Sequence, residues 1–120
     1  MSQNIDKTIN YIEFPLKKPT ETQKFYEILF GWEFTEWGPN YLSFTGAGIE
    51  GGFNGEDKRP ITAPGILVVL YADNLDETER YVREQGGKIH KEIYDFPGGR
   101  RFHFLDPNGN ELAIWSALEE

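Results

Sequence analysis

Hydrophobic and polar residues follow two periods along this chain, the two-residue period of a strand and the spacing of a helix. The apolar-rich segment Ile9–Leu16 predicts a strand. After the breaker Lys17–Pro19, apolar residues recur at helical spacing between positions 23 and 30, which predicts a helix. Gly31 predicts the end of that helix, because glycine readily adopts the left-handed conformation found there.

The same order returns further along the chain. Residues 66–72 form an apolar run that predicts a buried strand, and Tyr81 and Val82 supply apolar positions of a second helix. Gly86 and Gly87 predict the end of this helix. Three short strands are predicted after each helix, divided by turns that contain Gly, Pro or Asn. These strands span residues 32–37, 41–45, 49–53, 88–94, 101–105 and 111–115.

Each predicted helix begins at a candidate capping box, in which an N-cap side chain and a Glu or Gln three residues later satisfy free backbone amides. The boxes are Thr20–Gln23 and Asp76–Glu79. A separation of 56 residues is shared by three pairs of positions: Thr20 and Asp76, Phe25 and Tyr81, Gly31 and Gly87. This common offset predicts a duplicated module. The modules span about residues 5–57 and 64–117, with residues 54–64 as a linker.

Two segments, "FPLKKPTETQKFYEILFGWEF" and "FLDPNGNELAIW", resemble the vicinal oxygen chelate superfamily, which includes glyoxalases, extradiol dioxygenases and bleomycin-resistance proteins. The resemblance spans about residues 5–117. It implies a single α+β domain over residues 1–120, in which two βαβββ modules form curled mixed sheets around a cavity, usually completed in a homodimer. A ferredoxin-like α+β domain is the alternative fold, because it also alternates strands with two helices.

Enzymes of this superfamily hold one divalent metal with His, Gln or Glu side chains that face the cavity. By the resemblance, three of those positions fall on Tyr11, Leu67 and Ala113, and the fourth lies within Glu50–Gly52. A phenol, an alkyl group and a methyl group are not the ligands that such a metal needs. The expectation is therefore that the protein binds neither a metal nor another cofactor.

Period-two alternation predicts which side chains face this cavity. The predicted ligand-binding residues are Tyr11, Glu13, Leu67, Val69, Tyr71, Arg101, His103, Ala113 and Trp115. A lining of aromatic and aliphatic groups with few polar ones suits a flat organic ligand. Trp32, Trp37 and Tyr41 are predicted as core residues, or else as additions to this lining.

Several polar residues have two interpretations. Glu13 is the candidate catalytic residue, a general acid or base among aromatic groups, or else a structural partner of an Arg or Lys. His103 would join a metal site only if it met carboxylates such as Glu13 or Glu111. Arg100 and Arg101 either hold an anionic group of a ligand or balance surface carboxylates. The "DPNGN" segment is predicted as a turn without a catalytic role.

Composition narrows the possible partners. Twenty acidic and twelve basic residues give a net charge of −8, which disfavours nucleic acid and membranes and favours a cationic or neutral ligand. The absence of cysteine excludes disulfides and thiolate chemistry. The N-terminus lacks a signal-peptide pattern, and the apolar run at 66–72 is too short to span a bilayer. These features predict a cytoplasmic protein.

Three functions follow from this sequence. The first is a metal-free protein of the sequestering or resistance type, a dimer that binds a small organic molecule in an aromatic-lined cavity. The alternative is a lyase, isomerase or dioxygenase-like enzyme, which uses a metal through other ligands or Glu13 as general base. The third is a structural or regulatory dimer without a ligand.

Overall fold

The computed structural model describes residues 4–56, 60–61 and 65–118. The chain divides into two compact units, Met1–Arg59 and Pro60–Glu120. Each unit has the order strand, helix, strand, strand, strand, which confirms the α+β class and the duplicated order. The predicted linker lies partly outside the described residues. Among those described, neither helix is long and apolar enough to cross a membrane.

The first unit has one sheet and one helix. Its elements are β1 (Tyr11–Pro15), α1 (Pro19–Phe30), β2 (Glu33–Glu36), β3 (Tyr41–Thr45) and β4 (Glu50–Asn54). The strand order in the sheet is β1-β4-β3-β2. Strand β1 is parallel to β4, because α1 carries the chain back before the remaining strands form. The other neighbouring pairs are antiparallel.

The second unit repeats this topology. Its elements are β5 (Val68–Tyr71), α2 (Leu75–Glu84), β6 (Lys88–Phe96), β7 (Gly99–Leu105) and β8 (Glu111–Ala117). The sheet order is β5-β8-β7-β6, again with its first pair parallel. The expectation of a buried strand at 66–72 is wrong in part, because Val69 and Tyr71 are 40% and 54% exposed. They lie on the face of β5 that turns away from the core.

Both helices begin earlier than the sequence predicted. The N-cap of α1 is Lys18, which makes no side-chain capping bond, and Pro19 occupies the first turn, where its fixed φ suits a helix start. The N-cap of α2 is Asn74, whose side chain accepts a hydrogen bond from the Glu77 amide at 3.0 Å. The boxes predicted at Thr20 and Asp76 are therefore wrong. Lys18 and Asn74 are nevertheless 56 residues apart, so the predicted offset is confirmed.

The helix ends depend on glycine, as predicted. Gly31 has a φ of 73° and donates its amide hydrogen to the Glu27 carbonyl at 3.0 Å. Helix α2 ends at Glu84, and it is Gly86, with a φ of 95°, that adopts the left-handed conformation. The offset had placed this role on Gly87. The difference arises because α2 is two residues shorter than α1.

The cores of the two units differ in composition. In the first, Tyr26 is fully buried and contacts a cluster of other rings: Phe25, Phe30, Trp32, Phe34 and Phe53. In the second, the buried apolar residues are mainly aliphatic and include Leu75, Val82, Phe102, Phe104, Leu112 and Ile114. Trp32 is a core residue, as predicted. The core assignment of Trp37 is wrong, since it is 69% exposed and its indole N–H donates to Ser43.

The "DPNGN" segment forms the predicted turn between β7 and β8. The Asp106 carboxylate accepts four hydrogen bonds, two from the backbone amides and two from the side chains of Asn108 and Asn110. Gly109 has a φ of 96°, which favours glycine. The turn sets the register between β7 and β8, and thereby decides which side chains share a face.

Candidate functional site

Predicted site residues of the second unit lie in rows that run across its sheet. Residues directly opposite each other on paired strands point to the same face. One row consists of Tyr94, Arg101, Trp115 and Tyr71, and the next consists of Lys91, His103, Ala113 and Val69. We call these eight residues the second face. Leu67, also predicted in the site, is half-buried just before β5.

Aromatic rings dominate one side of the second face. Trp115 meets Tyr71 edge-to-face with ring centroids 5.1 Å apart, and Phe96 lies 6.0 Å from it on the other side. Trp115 is half-buried, whereas Tyr71 is largely exposed. Rings that are held by neighbours and still reach the surface offer a platform on which a planar molecule can stack.

A chain of four polar side chains crosses the same face. The Arg101 Nε donates to the Tyr94 hydroxyl at 2.5 Å, and that hydroxyl lies 2.9 Å from Nε2 of His103. Nδ1 of His103 lies 2.8 Å from the Glu111 carboxylate. Because a guanidinium only donates, the arrangement that uses every group has Tyr94 donating to His103 and a neutral His103 donating to Glu111.

The alternation predicted for β7 is confirmed. Arg101 and His103 share the second face, while Phe102 and Phe104 are fully buried on the opposite side. His103 does meet Glu111, one of the two carboxylates that the metal hypothesis named. His90 is exposed on β6. Within the described part of the chain, no group of three or more His, Asp or Glu side chains could hold a metal ion.

The two adjacent arginines have different partners. Two nitrogens of Arg100 each lie 3.3 Å from the Asp76 carboxylate, and its Nε lies 3.9 Å from Asp95. The hydrogen bond with Asp76 raises the pKa of the Arg100 guanidinium above its usual value. Arg101 instead lies over the rings of Tyr94 and Phe96, at 5.6 and 5.9 Å from their centroids. Arg100 therefore balances surface carboxylates, and Arg101 belongs to the aromatic face.

In the first unit, the predicted residues Tyr11 and Glu13 belong to a closed hydrogen-bond network. The Tyr41 hydroxyl donates to one oxygen of Glu13 at 3.0 Å, and the Asn54 amide donates to the other at 3.2 Å. The Tyr11 and Tyr41 hydroxyls are 2.5 Å apart. Burial, together with the hydrogen bonds to Tyr11 and Glu13, raises the pKa of Tyr41 above its usual value. We call Tyr11, Glu13, Tyr41, Gly52 and Asn54 the first face.

The register of the strands identifies the fourth position of the metal site that the resemblance implies. Glu13 pairs with Gly52 across β1 and β4, as Val69 pairs with Ala113 across β5 and β8. Gly52 is therefore the counterpart of Ala113. A side chain there would collide with the Tyr11 and Tyr41 hydroxyls. The four positions carry a phenol, a hydrogen, an isobutyl group and a methyl group, and this set does not fit a divalent ion.

Sequence reasoning missed Tyr94 and Asn54 as members of these networks. Strand β6 has register irregularities between Ile89 and Lys91 and between Lys91 and Tyr94. Such bulges interrupt period-two alternation, so the face of Tyr94 could not be read from the pattern. Asn54 was placed in the linker, although it is the last residue of β4. Extending the alternation from Gly52 by two residues would have placed it beside Glu13.

The sequence and the fold both resemble one group of known proteins. The model of the Glyoxalase/Bleomycin resistance protein/Dioxygenase superfamily matches residues 8–114. Among solved structures, a family enzyme from Burkholderia phytofirmans PsJN is similar, with a TM-score of 0.76 and 18% identity over 91% of this chain and 98% of that one. No curated protein matches the sequence.

Two further similar structures are described by what they bind. TnmS3, an antibiotic binding protein from Streptomyces sp. CB03234, has a TM-score of 0.68 and 20% identity over 96% of this chain and all of that one. A mutant fosfomycin resistance protein from Listeria monocytogenes, complexed with Mn(II) and a dihydroxypropylphosphonic acid, has a TM-score of 0.77 and 17% identity over 95% and 93%. At these identities the likeness is one of fold.

Proposed function

Because the chain belongs to the Glyoxalase/Bleomycin resistance protein/Dioxygenase superfamily, we propose that it binds a small planar organic molecule on the second face without a metal ion. The observation that carries this proposal is the row of Tyr94, Arg101, Trp115 and Tyr71 across the second sheet. Rings that remain accessible, with a few polar groups beside them, are typical of small-molecule sites.

Two other observations support the proposal. The positions at which the resemblance implies metal ligands carry Tyr11, Gly52, Leu67 and Ala113, none of which suits a divalent ion. One protein of similar fold is an antibiotic binding protein, so the fold is compatible with capture of an organic compound. Sequestering such a compound needs a complementary surface but no reacting group.

Tryptophan fluorescence tests the proposal directly. The chain has three tryptophans, of which Trp115 lies on the second face and Trp37 is exposed in the first unit. A library of planar aromatic compounds should contain ligands that quench the wild-type protein and Trp37→Phe alike. Trp115→Phe should lose most of that quench, and Trp115→Ala should weaken binding about tenfold or more, because a stacking partner contributes about 1 kcal/mol or more.

Two outcomes would contradict the proposal. One is a library in which no compound changes the fluorescence or releases heat in calorimetry. The other is a ligand that binds Trp115→Ala as tightly as it binds the wild type. Elemental analysis provides the metal arm of the test. We expect less than stoichiometric divalent metal in the purified protein, and ligand affinity that is unchanged by EDTA; about one tightly held ion per chain would contradict the metal-free part.

The enzymatic alternative depends on Glu13. Both of its oxygens accept hydrogen bonds, from Tyr41 and Asn54, so taking up a proton would disrupt at least one of these contacts. This observation favours a structural carboxylate over a general base. Glu13→Gln should therefore leave binding on the second face unchanged. Turnover of any bound compound that Glu13→Gln abolishes without unfolding the protein would support the enzyme instead.

We further propose that residues 1–120 act as one domain that functions as a cytoplasmic homodimer. The family resemblance supports the dimer, and the absence of cysteine is compatible with a reducing compartment. Light scattering should give twice the chain mass of 13.8 kDa. Unfolding in urea should be a single transition with coincident fluorescence and circular dichroism signals. A monomer, or two separate transitions, would contradict the respective part.

A further inference from the structure

We propose that the second face selects planar organic anions, with Arg101 holding the charged group and Trp115 and Tyr71 stacking on the ring. This inference rests on the function proposed above and adds the chemical class of the ligand. It differs from the expectation drawn from net charge, which favoured a cationic or neutral compound.

The first observation is the ion pairing of the arginines. Residues 65–118, all of which the structure describes, contain four arginines. Arg80, Arg83 and Arg100 contact carboxylates at 3.9, 3.6 and 3.3 Å. Arg101 has no carboxylate within such a distance among the described residues, although the chain has eight more acidic than basic residues. On so acidic a chain, a half-buried guanidinium without a counter-ion is a site for an anion.

The second observation is the way in which Arg101 is held. Its Nε donates to Tyr94, and its plane lies near the rings of Tyr94 and Phe96. The two terminal nitrogens have no hydrogen-bond partner among the described residues. Together they form the planar fork that matches both oxygens of a carboxylate. Because Nε and the ring contacts fix the guanidinium, little side-chain entropy is lost when the anion binds.

Tyr94 and His103 are positioning residues in this arrangement. Glu111 accepts from His103, and His103 accepts the Tyr94 proton, so the Tyr94 oxygen is directed to accept from Arg101. The same contacts occupy Glu111, the acidic residue of this chain of side chains. Glu111 lies four residues from Trp115 on β8, which corresponds to about 13 Å along a strand. Its charge therefore opposes a ligand at Arg101 only weakly.

Lys91 adds a second positive charge to the same place. Its Nζ lies 5.4 Å from the Tyr94 ring centroid, and among the described residues it makes no ion pair. Arg101 and Lys91 thus flank one ring. The net charge of −8 acts mainly through distant groups, and salt screens those beyond about 8–10 Å. At contact distance the local pair of cations decides the sign of the preferred ligand.

Matched probes test the inference. Naphthoate and naphthamide have the same ring system, and only naphthoate carries a charge. Calorimetry should show that the wild-type protein binds naphthoate about tenfold more tightly than naphthamide, as expected for a charge-assisted bidentate contact worth about 1.4 kcal/mol. Arg101→Gln should bring the two affinities within about threefold of each other. Arg100→Gln, adjacent in sequence but paired with Asp76, should keep the wild-type preference.

Further measurements keep the test decisive if Arg101→Gln folds poorly. Tyr94→Phe retains the guanidinium and removes its anchor, so the naphthoate preference should fall while naphthamide binding stays the same. In the wild type, raising salt from about 20 to about 200 mM should weaken naphthoate binding and leave naphthamide binding unchanged. Equal affinities of the wild type for both probes, lowered together by Trp115→Ala, would overturn the anion preference and leave the proposed function standing. Binding of neither probe would overturn this inference, whereas the compound library tests the proposed function separately.

Discussion

Tyr41 and Asn54 pair across β3 and β4 and close over Glu13, whereas Arg101 and Trp115 pair at the corresponding place in the second unit. The strands of both sheets follow the same order and the same pairing pattern. The positions that carry a carboxylate and its two donors in one unit therefore carry a cation and aromatic rings in the other. Duplication preserved the backbone and left the faces free to diverge.

This difference teaches what makes a sheet face suitable for binding. On the first face, both oxygens of Glu13 are occupied by donors from the same unit, so a ligand would have to break existing hydrogen bonds. On the second, the two terminal nitrogens of Arg101 and much of Tyr71 remain accessible. A surface binds tightly when its groups are held in place but not satisfied.

The opposite faces of the sheets diverge as well. Phe53 and Ile114 occupy equivalent positions next to Gly52 and Ala113. Gly51 is likewise the counterpart of Leu112, and a Cβ at Gly51 would collide with the Ile12 carbonyl and the Phe44 ring. Aromatic rings thus take up in the first unit the volume that aliphatic side chains fill in the second.

The largest expected effect is on this core comparison. Phe53 is fully buried and lies 5.0 Å from Phe14 and 5.2 Å from Tyr26, measured between ring centroids. Phe53→Ala should lower the free energy of unfolding by about 4 kcal/mol, and Ile114→Ala by about 3 kcal/mol, because the larger ring leaves the larger cavity. Urea titration measures both. A smaller loss for Phe53→Ala would mean that the aromatic cluster repacks.

A smaller effect should separate the starts of the two helices. The Asn74 side chain caps α2, whereas the N-cap of α1 makes no side-chain bond. Asn74→Ala should cost about 1 kcal/mol in the free energy of unfolding, because the Glu77 amide loses its acceptor. Asn74→Asp should be close to neutral, since aspartate also caps well. Equal losses in both variants would show that the amide nitrogen of Asn74 matters and the cap does not.

The smallest effect concerns pH and the first face. The pKa of Tyr41 is raised above its ordinary value of 10.0 by burial and by hydrogen bonds to Tyr11 and Glu13. Above pH 10 the unfolded chain loses this proton while the folded chain keeps it, so the free energy of unfolding falls as pH rises. The contribution is complete below that pH. Tyr41→Phe should show a shallower alkaline decline in chemical denaturation; an identical slope would refute the role of Tyr41.

The order and duplication of the elements could be predicted because local patterns encode them. Period-two and helical spacing, Gly31 and the "DPNGN" turn each act within a few residues of the chain. The helix starts were misplaced by two residues in both units, because proline at the first turn of α1 and Asn74 before α2 compete with other good capping residues. Even so, the offset of 56 remained correct, since both errors had the same direction.

The sequence by itself determined the α+β class, the repeat and the residues at the implied metal positions, since these depend on spacing and side-chain chemistry alone. Only the tertiary structure decided that Arg100 pairs with Asp76 while Arg101 lies over Tyr94. Adjacent residues on a strand point to opposite faces, so neighbours of identical chemistry meet different surroundings. The bulges in β6 moved Tyr94 onto the second face, and such shifts of register arise from pairing between strands distant in sequence.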